Sequence, residues 1–194
     1  MDKIQLKDKK FKLFIPQESI AKAVAQVARQ IEHDIKQQEN REVLFVCILN
    51  GAFMFASELM SELNESYEIT FARYASYAGT NSTGVLQEIM PIRENIQGKT
   101  LILLEDIIDT GFTMKHVIAK LKEQGAAEVK LATMLFKPES LRCDLKPDYV
   151  GIQIPPAFIV GHGLDYDGMG RAYRDIYVIC LLYTSPSPRD KRQS

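Results

Sequence analysis

The stretch Glu105-Asp106-Ile107-Ile108-Asp109-Thr110-Gly111-Phe112-Thr113 gathers the groups that phosphate and sugar chemistry needs. Two adjacent carboxylates end the apolar run Leu101-Ile102-Leu103-Leu104, and a third opens a turn of small residues that leads into helical spacing. In open α/β sheets, ligands bind beyond the carboxyl ends of the strands, where a helix N-terminus offers free N–H groups and a positive dipole end. Thr110 and Thr113 add hydroxyl donors, and Gly111 lets the backbone approach a phosphate oxygen. Bare acids beside a phosphate repel it, so the ligand must reconcile them. Mg²⁺ can bridge acids and phosphate oxygens, and a ribose diol can donate hydrogen bonds to Glu105 and Asp106. A ligand with a phosphate, sugar hydroxyls and a metal-bound second phosphate uses every group present. The bland alternative is a turn in which Asp109 or Thr110 caps the helix while Glu105 and Asp106 are solvated. That suffices for Asp-Thr-Gly alone, but not for the whole arrangement.

Other phosphate motifs fail. Gly98-Lys99-Thr100 ends like a P-loop, but the required first glycine falls on Arg93 and the Lys-Thr pair enters a strand. Gly161-His162-Gly163 and Gly168-Met169-Gly170 put Tyr166 and Tyr173 where a dinucleotide fingerprint needs its third glycine. Cys47, Cys143 and Cys180 are scattered and odd in number, so they are expected to be reduced thiols and not a disulfide framework or a zinc site. Lys+Arg 24 against Asp+Glu 25 leaves a net charge of −1, without the basic field of a nucleic-acid binder. No apolar run reaches membrane-spanning length and the N-terminus lacks a signal-peptide core, so no membrane partner and a cytoplasmic location are expected.

These groups need a scaffold, and 194 residues with 46% hydrophobic content suffice for one domain with a real core. Strands are expected at 11–15, 43–49, 67–74, 100–104 and 129–135, and helices at 18–36, 52–63 and 113–124, the last closed by Gly125. Alternating buried strands and helices predict an α/β fold with a mainly parallel sheet flanked by helices. Short strands at 149–152, 158–160 and 176–182 are expected to form a small antiparallel flap, a hood over the carboxyl edge. The polar stretch 75–87 is too long for a structureless connection and is expected to act as a lid. Residues 1–183 form the expected single domain, and 184–194, without large apolar residues, the expected disordered tail.

The segment from Glu105 to Gly111 resembles the phosphoribosyl-pyrophosphate motif of type I phosphoribosyltransferases, most of all their hypoxanthine-guanine branch. The similarity extends from Phe11 to Leu182. It takes in Leu49-Asn50-Gly51 as pyrophosphate loop, Ser76-Tyr77 in the mobile lid, Lys137 after a strand, Phe158-Ile159-Val160-Gly161 and Leu164-Asp165-Tyr166. The resemblance implies transfer of the phosphoribosyl group from phosphoribosyl pyrophosphate to N9 of a 6-oxopurine, through an oxocarbenium-like transition state.

By the same resemblance, Asp109 is the acid/base group, and Glu105 and Asp106 hold the ribose hydroxyls. The segment Asp109, Thr110, Gly111, Phe112 and Thr113 cradles the 5′-phosphate, while Gly51, in a loop that often contains a cis peptide, and Arg171 meet pyrophosphate. Lys137 reads the 6-oxo group, Phe158 stacks on the base and Ile159 offers backbone hydrogen bonds. Asp165 joins Glu105 and Asp106 around Mg²⁺, and the chain forms a dimer or tetramer of itself. Taken singly, Phe158 would be core, Lys137 solvated, and Asp165–Arg171 a surface pair. The chain has Asn50 where many relatives have Lys, and Phe112 at a variable position. Two alternatives stay open: an aspartate-based phosphotransferase, against which the acids stand as Asp106-x-x-Asp109-Thr110 in the chain's middle and not as Asp-x-Asp-x-Thr on an early strand, and a phosphoribosyl-pyrophosphate-sensing regulator, against which the absence of a basic stripe weighs.

Overall fold

Along residues Val43–Ile48, Phe45 and Cys47 belong to one core while Leu44, Val46 and Ile48 belong to another, so this strand must be covered on both faces. The computed structural model describes residues 2–38, 41–76 and 86–180. In chain order its elements are Lys3–Leu6 (β1), Lys9–Ile15 (β2), Gln17–Lys36 (α1), Val43–Ile48 (β3), Phe53–Glu62 (α2), Glu68–Ser76 (β4) and Leu86–Met90 (β5). Thr100–Ile108 (β6), Phe112–Glu123 (α3), Glu128–Phe136 (β7), Tyr149–Gln153 (β8), Ile159–Val160 (β9) and Ile176–Ile179 (β10) follow.

The main sheet has the order β5-β4-β3-β6-β7-β8, parallel throughout except for the antiparallel edge strand β5. Helices α1 and α2 cover one face through Val24, Val27, Ile31, Phe55 and Leu59, and α3 covers the other through Met114, Val117 and Leu121. A second, antiparallel sheet of order β1-β2-β10-β9 forms the hood, with its own small core of Ile4, Leu6, Phe11, Val160 and Tyr177. The α/β reading with a parallel sheet and a hood holds.

Three expectations need correction. The strand at 149–152 is not in the hood. As β8 it extends the main sheet beside β7, anchored to α1 by a 2.8 Å hydrogen bond from the Tyr149 hydroxyl to Asp34. The hood instead takes β2, the strand expected at 11–15, which pairs with β10. Strand β6 does not stop before the acids. It runs through Glu105 and Asp106 to Ile108 because Ile107 and Ile108 continue the pairing with Leu135 and Phe136 of β7. Finally, the expected loop 75–87 is shortened at both ends by the β4–β5 pairing, in which Ala75 meets Gln87 and Ser76 meets Leu86. Tyr77, the core of the expected lid and the expected tail 184–194 lie outside the described residues. Among the described residues, no helix is long and apolar enough to cross a membrane.

Candidate active site

Strand β6 ends at Ile108 and α3 starts at Phe112, so Asp109-Thr110-Gly111 must make the whole turn. Gly111 sits at φ +83°, where side chains are strained, and a Cβ there would lie 2.7 Å from Leu141 Cδ1 and 2.9 Å from Cys143 Sγ. The segment after β7 braces the turn from behind: the Arg142 amide donates to the Thr110 carbonyl at 3.0 Å, and the Lys137 amide to Ile108 at 2.9 Å. No side chain caps α3. This removes the capping role considered for Asp109 and Thr110 and leaves first-turn N–H groups without a side-chain acceptor, as an anion site requires. Glu105, Asp109, Thr110, Gly111 and Thr113 line a cleft of about 140 Å³ in front of the turn. Phe112 is half-exposed, so its contribution to the turn comes from the backbone.

The two acids of β6 are partly buried, with the Glu105 Oε2 atom shut off from solvent. Glu105 Oε2 has no hydrogen-bond partner, and burial, reinforced by the Asp106 charge, raises the Glu105 carboxyl well above its usual range. Asp106 is pushed up to about 6, chiefly by burial, while the Ile107 N–H at 2.8 Å and the Arg171 charge oppose the shift. An acid whose folded pKa is raised costs stability as pH rises from its unfolded value, so Asp106 disfavours the free fold increasingly between 3.8 and about 6. A hydroxyl donor or a cation at this place relieves that cost. An orphaned buried carboxylate oxygen is the mark of a site that a ligand completes.

The turn after β3 closes over Asp106. Its Leu49–Asn50 peptide is cis, as the resemblance implied. A Cβ on Gly51 would stand 1.5 Å from Asp106 Oδ2, so only glycine allows this approach. From the hood, Gly163 at φ +96° packs on the same loop, and its Cβ would fall 1.9 Å from the Gly51 carbonyl oxygen. Buried His162 pins this contact, its Nε2 lying 3.0 Å from Glu58 Oε2 on α2. Gly163→Ala is therefore expected to force the hood loop off Gly51, lowering the melting temperature and weakening pyrophosphate binding in calorimetric titration by about 10-fold or more. Unchanged pyrophosphate affinity would refute the interlock.

On the other side of the turn, Lys137 is 8% exposed and not solvated. Its ammonium donates to Asp109 Oδ2 at 2.8 Å. Phe158 is 45% exposed and not core. Its ring rests on Phe11 with centroids 6.1 Å apart and meets Tyr166 edge-on at 5.8 Å. Ile159 lies in β9, an outer strand of the hood, so one side of that backbone is unpaired within the sheet. Asp165 Oδ1 pairs with Arg171 at 2.6 Å, and Arg171 also donates to the Gly163 carbonyl at 2.7 Å. Arg174 lies elsewhere, in a cleft with Gln17 and Glu58.

The structure thus brings Gly51 together with Asp106, Asp165 with Arg171 through the Gly163 loop that packs on Gly51, and Asp109 with Lys137. It does not assemble Glu105, Asp106 and Asp165 into a cage, since no three metal-ligating side chains converge among the described residues. Ser76 terminates β4. The sequence gives no role to His162, Gly163 or Tyr166: the first two stand out only through a glycine spacing that fails as a dinucleotide fingerprint, and Tyr166 only as a member of the Leu164-Asp165-Tyr166 segment.

Residues 16–167 match the family model described as phosphoribosyl transferase domain. A hypoxanthine-guanine phosphoribosyltransferase of Streptococcus thermophilus is 36% identical over 172 residues, covering 88% of this chain and 92% of the relative. Its counterpart from Aquifex aeolicus is 31% identical over 176 residues, covering 90% and 98%. Among solved structures, a Bacillus anthracis hypoxanthine-guanine phosphoribosyltransferase superposes with TM-score 0.80 at 34% identity, covering 87% and 98%. The Trypanosoma cruzi hypoxanthine phosphoribosyltransferase gives 0.83 at 29% identity, covering 91% and 95%.

Proposed function

The chain belongs to the phosphoribosyltransferase family, and from that premise we propose that its cleft moves the 5-phosphoribosyl group from phosphoribosyl pyrophosphate to N9 of hypoxanthine or guanine in purine salvage. The enzyme class follows from relatives that carry this name over nearly their whole length. Neither the sensing regulator nor the aspartate-based phosphotransferase is favoured. The observation that carries the reading is the pair formed by buried Lys137 and Asp109 at the mouth of an uncapped, glycine-turned helix.

In the reaction the bond from ribose C1 to the pyrophosphate oxygen breaks, pyrophosphate leaves with the electron pair, and the C1–N9 bond forms. The base loses one proton, and Asp109 accepts it. Such a transfer needs placement and charge stabilisation more than a strong nucleophile. The backbone and hydroxyls from Asp109 to Thr113 hold the 5′-phosphate, and Glu105 and Asp106 accept from the ribose hydroxyls. Gly51 N–H and Arg171 meet the leaving pyrophosphate. Lys137 donates to the 6-oxo group, Phe158 covers the base, and the outer backbone of Ile159 is available to its edge.

The raised, partly buried acids suit a cation, and since they do not converge with Asp165 by themselves, Mg²⁺ would be held by Asp165 and the Glu105–Asp106 pair only by way of substrate oxygens. When bound, it supplies charge neutralisation for the leaving group. A self-assembled dimer or tetramer working in the cytoplasm completes the proposal.

A spectrophotometric assay of hypoxanthine, guanine, xanthine and adenine with phosphoribosyl pyrophosphate and Mg²⁺ tests this reading. Turnover of 6-oxopurines with adenine a very poor substrate is expected. An enzyme that used adenine as well as hypoxanthine would refute the role of Lys137, and no turnover of any base would refute the function.

A further inference from the structure

Phe158 reaches into solvent as far as a stacking platform must, yet its own strand holds it weakly. It directly precedes the two-residue strand β9, and only its carbonyl is tied, accepting from the Ile179 amide at 3.0 Å. Its ring is held instead by other rings. Phe11 lies behind it at a 38° tilt, and Tyr166 stands at 89° to it, edge to face. Tyr166 and Phe11 also touch, with centroids 6.3 Å apart, so the three rings form one cluster.

Tyr166 is itself gripped from outside the cleft. The β1–β2 turn grasps the turn around Tyr166 with three consecutive residues. Lys7 pairs with Asp167, Asp8 accepts a 2.8 Å hydrogen bond from the Tyr166 hydroxyl, and the Lys9 ammonium lies 4.9 Å from the Tyr166 ring centre. Within its own turn, the Tyr166 amide donates to the Met169 carbonyl at 2.8 Å and the Met169 amide donates back at 3.1 Å. One ring therefore has its hydroxyl fixed by the N-terminal hairpin, its backbone fixed by a tight turn, and its face or edge against the proposed platform.

We propose that Tyr166 is a positioning residue for purine binding: it holds the Phe158 ring in place and transmits to it the grip of the β1–β2 turn. The proposal rests on the reading of Phe158 as the ring that stacks on the base. Edge-to-face pairing adds attraction beyond mere burial and fixes the angle between rings. Without Tyr166 the Phe158 side chain regains its rotamers and must be ordered again each time a base binds. The effect should fall on the base and spare phosphoribosyl pyrophosphate, whose proposed contacts lie on the β3 loop, the β6 turn and Arg171.

Steady-state kinetics of Tyr166→Leu, Tyr166→Phe, Phe158→Leu and the double variant Tyr166→Leu/Phe158→Leu decide the matter. Tyr166→Leu is expected to raise KM for hypoxanthine by about 5–10-fold, with kcat and KM for phosphoribosyl pyrophosphate unchanged within about two-fold. Tyr166→Phe, which keeps the ring and loses the hydroxyl, should recover most of that loss. The double variant should be no worse for hypoxanthine than Phe158→Leu alone. An unchanged KM for hypoxanthine in Tyr166→Leu, equal rises for both substrates, or additive losses in the double variant would each overturn the proposal. If Phe158→Leu leaves KM for hypoxanthine unaltered, the stacking role itself fails, an outcome distinct from failure of Tyr166 alone. Should Tyr166→Leu not fold, Asp8→Ala and Tyr166→Phe both release the hydroxyl from its anchor. A rise of about two-fold in KM for hypoxanthine in each supports the proposal, and no rise in either overturns it.

Discussion

Asp109→Asn is expected to slow turnover by about 10²–10⁴ at saturating substrates, the range for loss of a positioned acid/base group, while leaving the fold and phosphoribosyl-pyrophosphate binding intact. The substitution keeps the shape of the side chain, and its amide oxygen can still accept from the Lys137 ammonium, which stands 2.8 Å from the carboxylate it replaces. The backbone of the phosphate turn is set by Gly111 and by the segment at Leu141 and Cys143, which do not depend on the Asp109 charge. What disappears is the capacity to take a proton. Single-turnover kinetics with calorimetric titration of phosphoribosyl pyrophosphate separates the two. Near-normal turnover would remove Asp109 from the chemistry, and lost affinity for phosphoribosyl pyrophosphate would make it a binding group instead.

Lys137→Met should act on the other substrate. A buried ammonium presents three donors, one of them already on Asp109, and a free one matches the 6-oxo acceptor of hypoxanthine or guanine, whereas the amino group of adenine would set donor against donor. Methionine keeps the apolar stem and removes the donor, so KM for 6-oxopurines is expected to rise about 10–150-fold, the worth of a hydrogen bond to a charged group. Discrimination against adenine should narrow in parallel. The Asp109 carboxylate that loses its partner is half-exposed and can be hydrated, so the change leaves no buried, unpaired charge behind. The check is the ratio of kcat/KM for hypoxanthine over adenine, with KM for phosphoribosyl pyrophosphate as control. Equal losses for both substrates would mean that Lys137 acts through the fold, and an unchanged base KM that another group reads the 6-oxo position.

The turn between β6 and α3 was legible because all its parts are neighbours in sequence, so strand, acids, small-residue turn and helix could be read in one pass. Strands β3 and β6 were legible because burial on both faces makes them continuous apolar runs. The same logic hid the end of β6: two carboxylates look like the end of a buried strand, and nothing local shows that Ile107 and Ile108 resume pairing with β7. Strand β5 went unseen because Gln87 and Glu88 dilute its apolar residues at a sheet edge, and β1 because it offers only Ile4 and Leu6 to a small separate core. The contacts of Gly163 with Gly51 and of Tyr166 with Phe11 join residues more than a hundred positions apart, which no spacing rule reaches.

The hood also sets an order of assembly during synthesis. Strand β2 pairs with β10, Ile15 against Ile176 and Phe11 against Ile179, although more than 160 residues separate the partners. At the usual ~5–20 residues per second, β2 leaves the ribosome roughly 8–32 s before β10. Until then it has only β1, and a lone two-stranded hairpin is marginal in water. Strands β3 to β8 and helix α3 are all made earlier than β10, so a growing chain acquires the Asp109–Gly111 turn well before the strand whose Ile179 amide ties down Phe158.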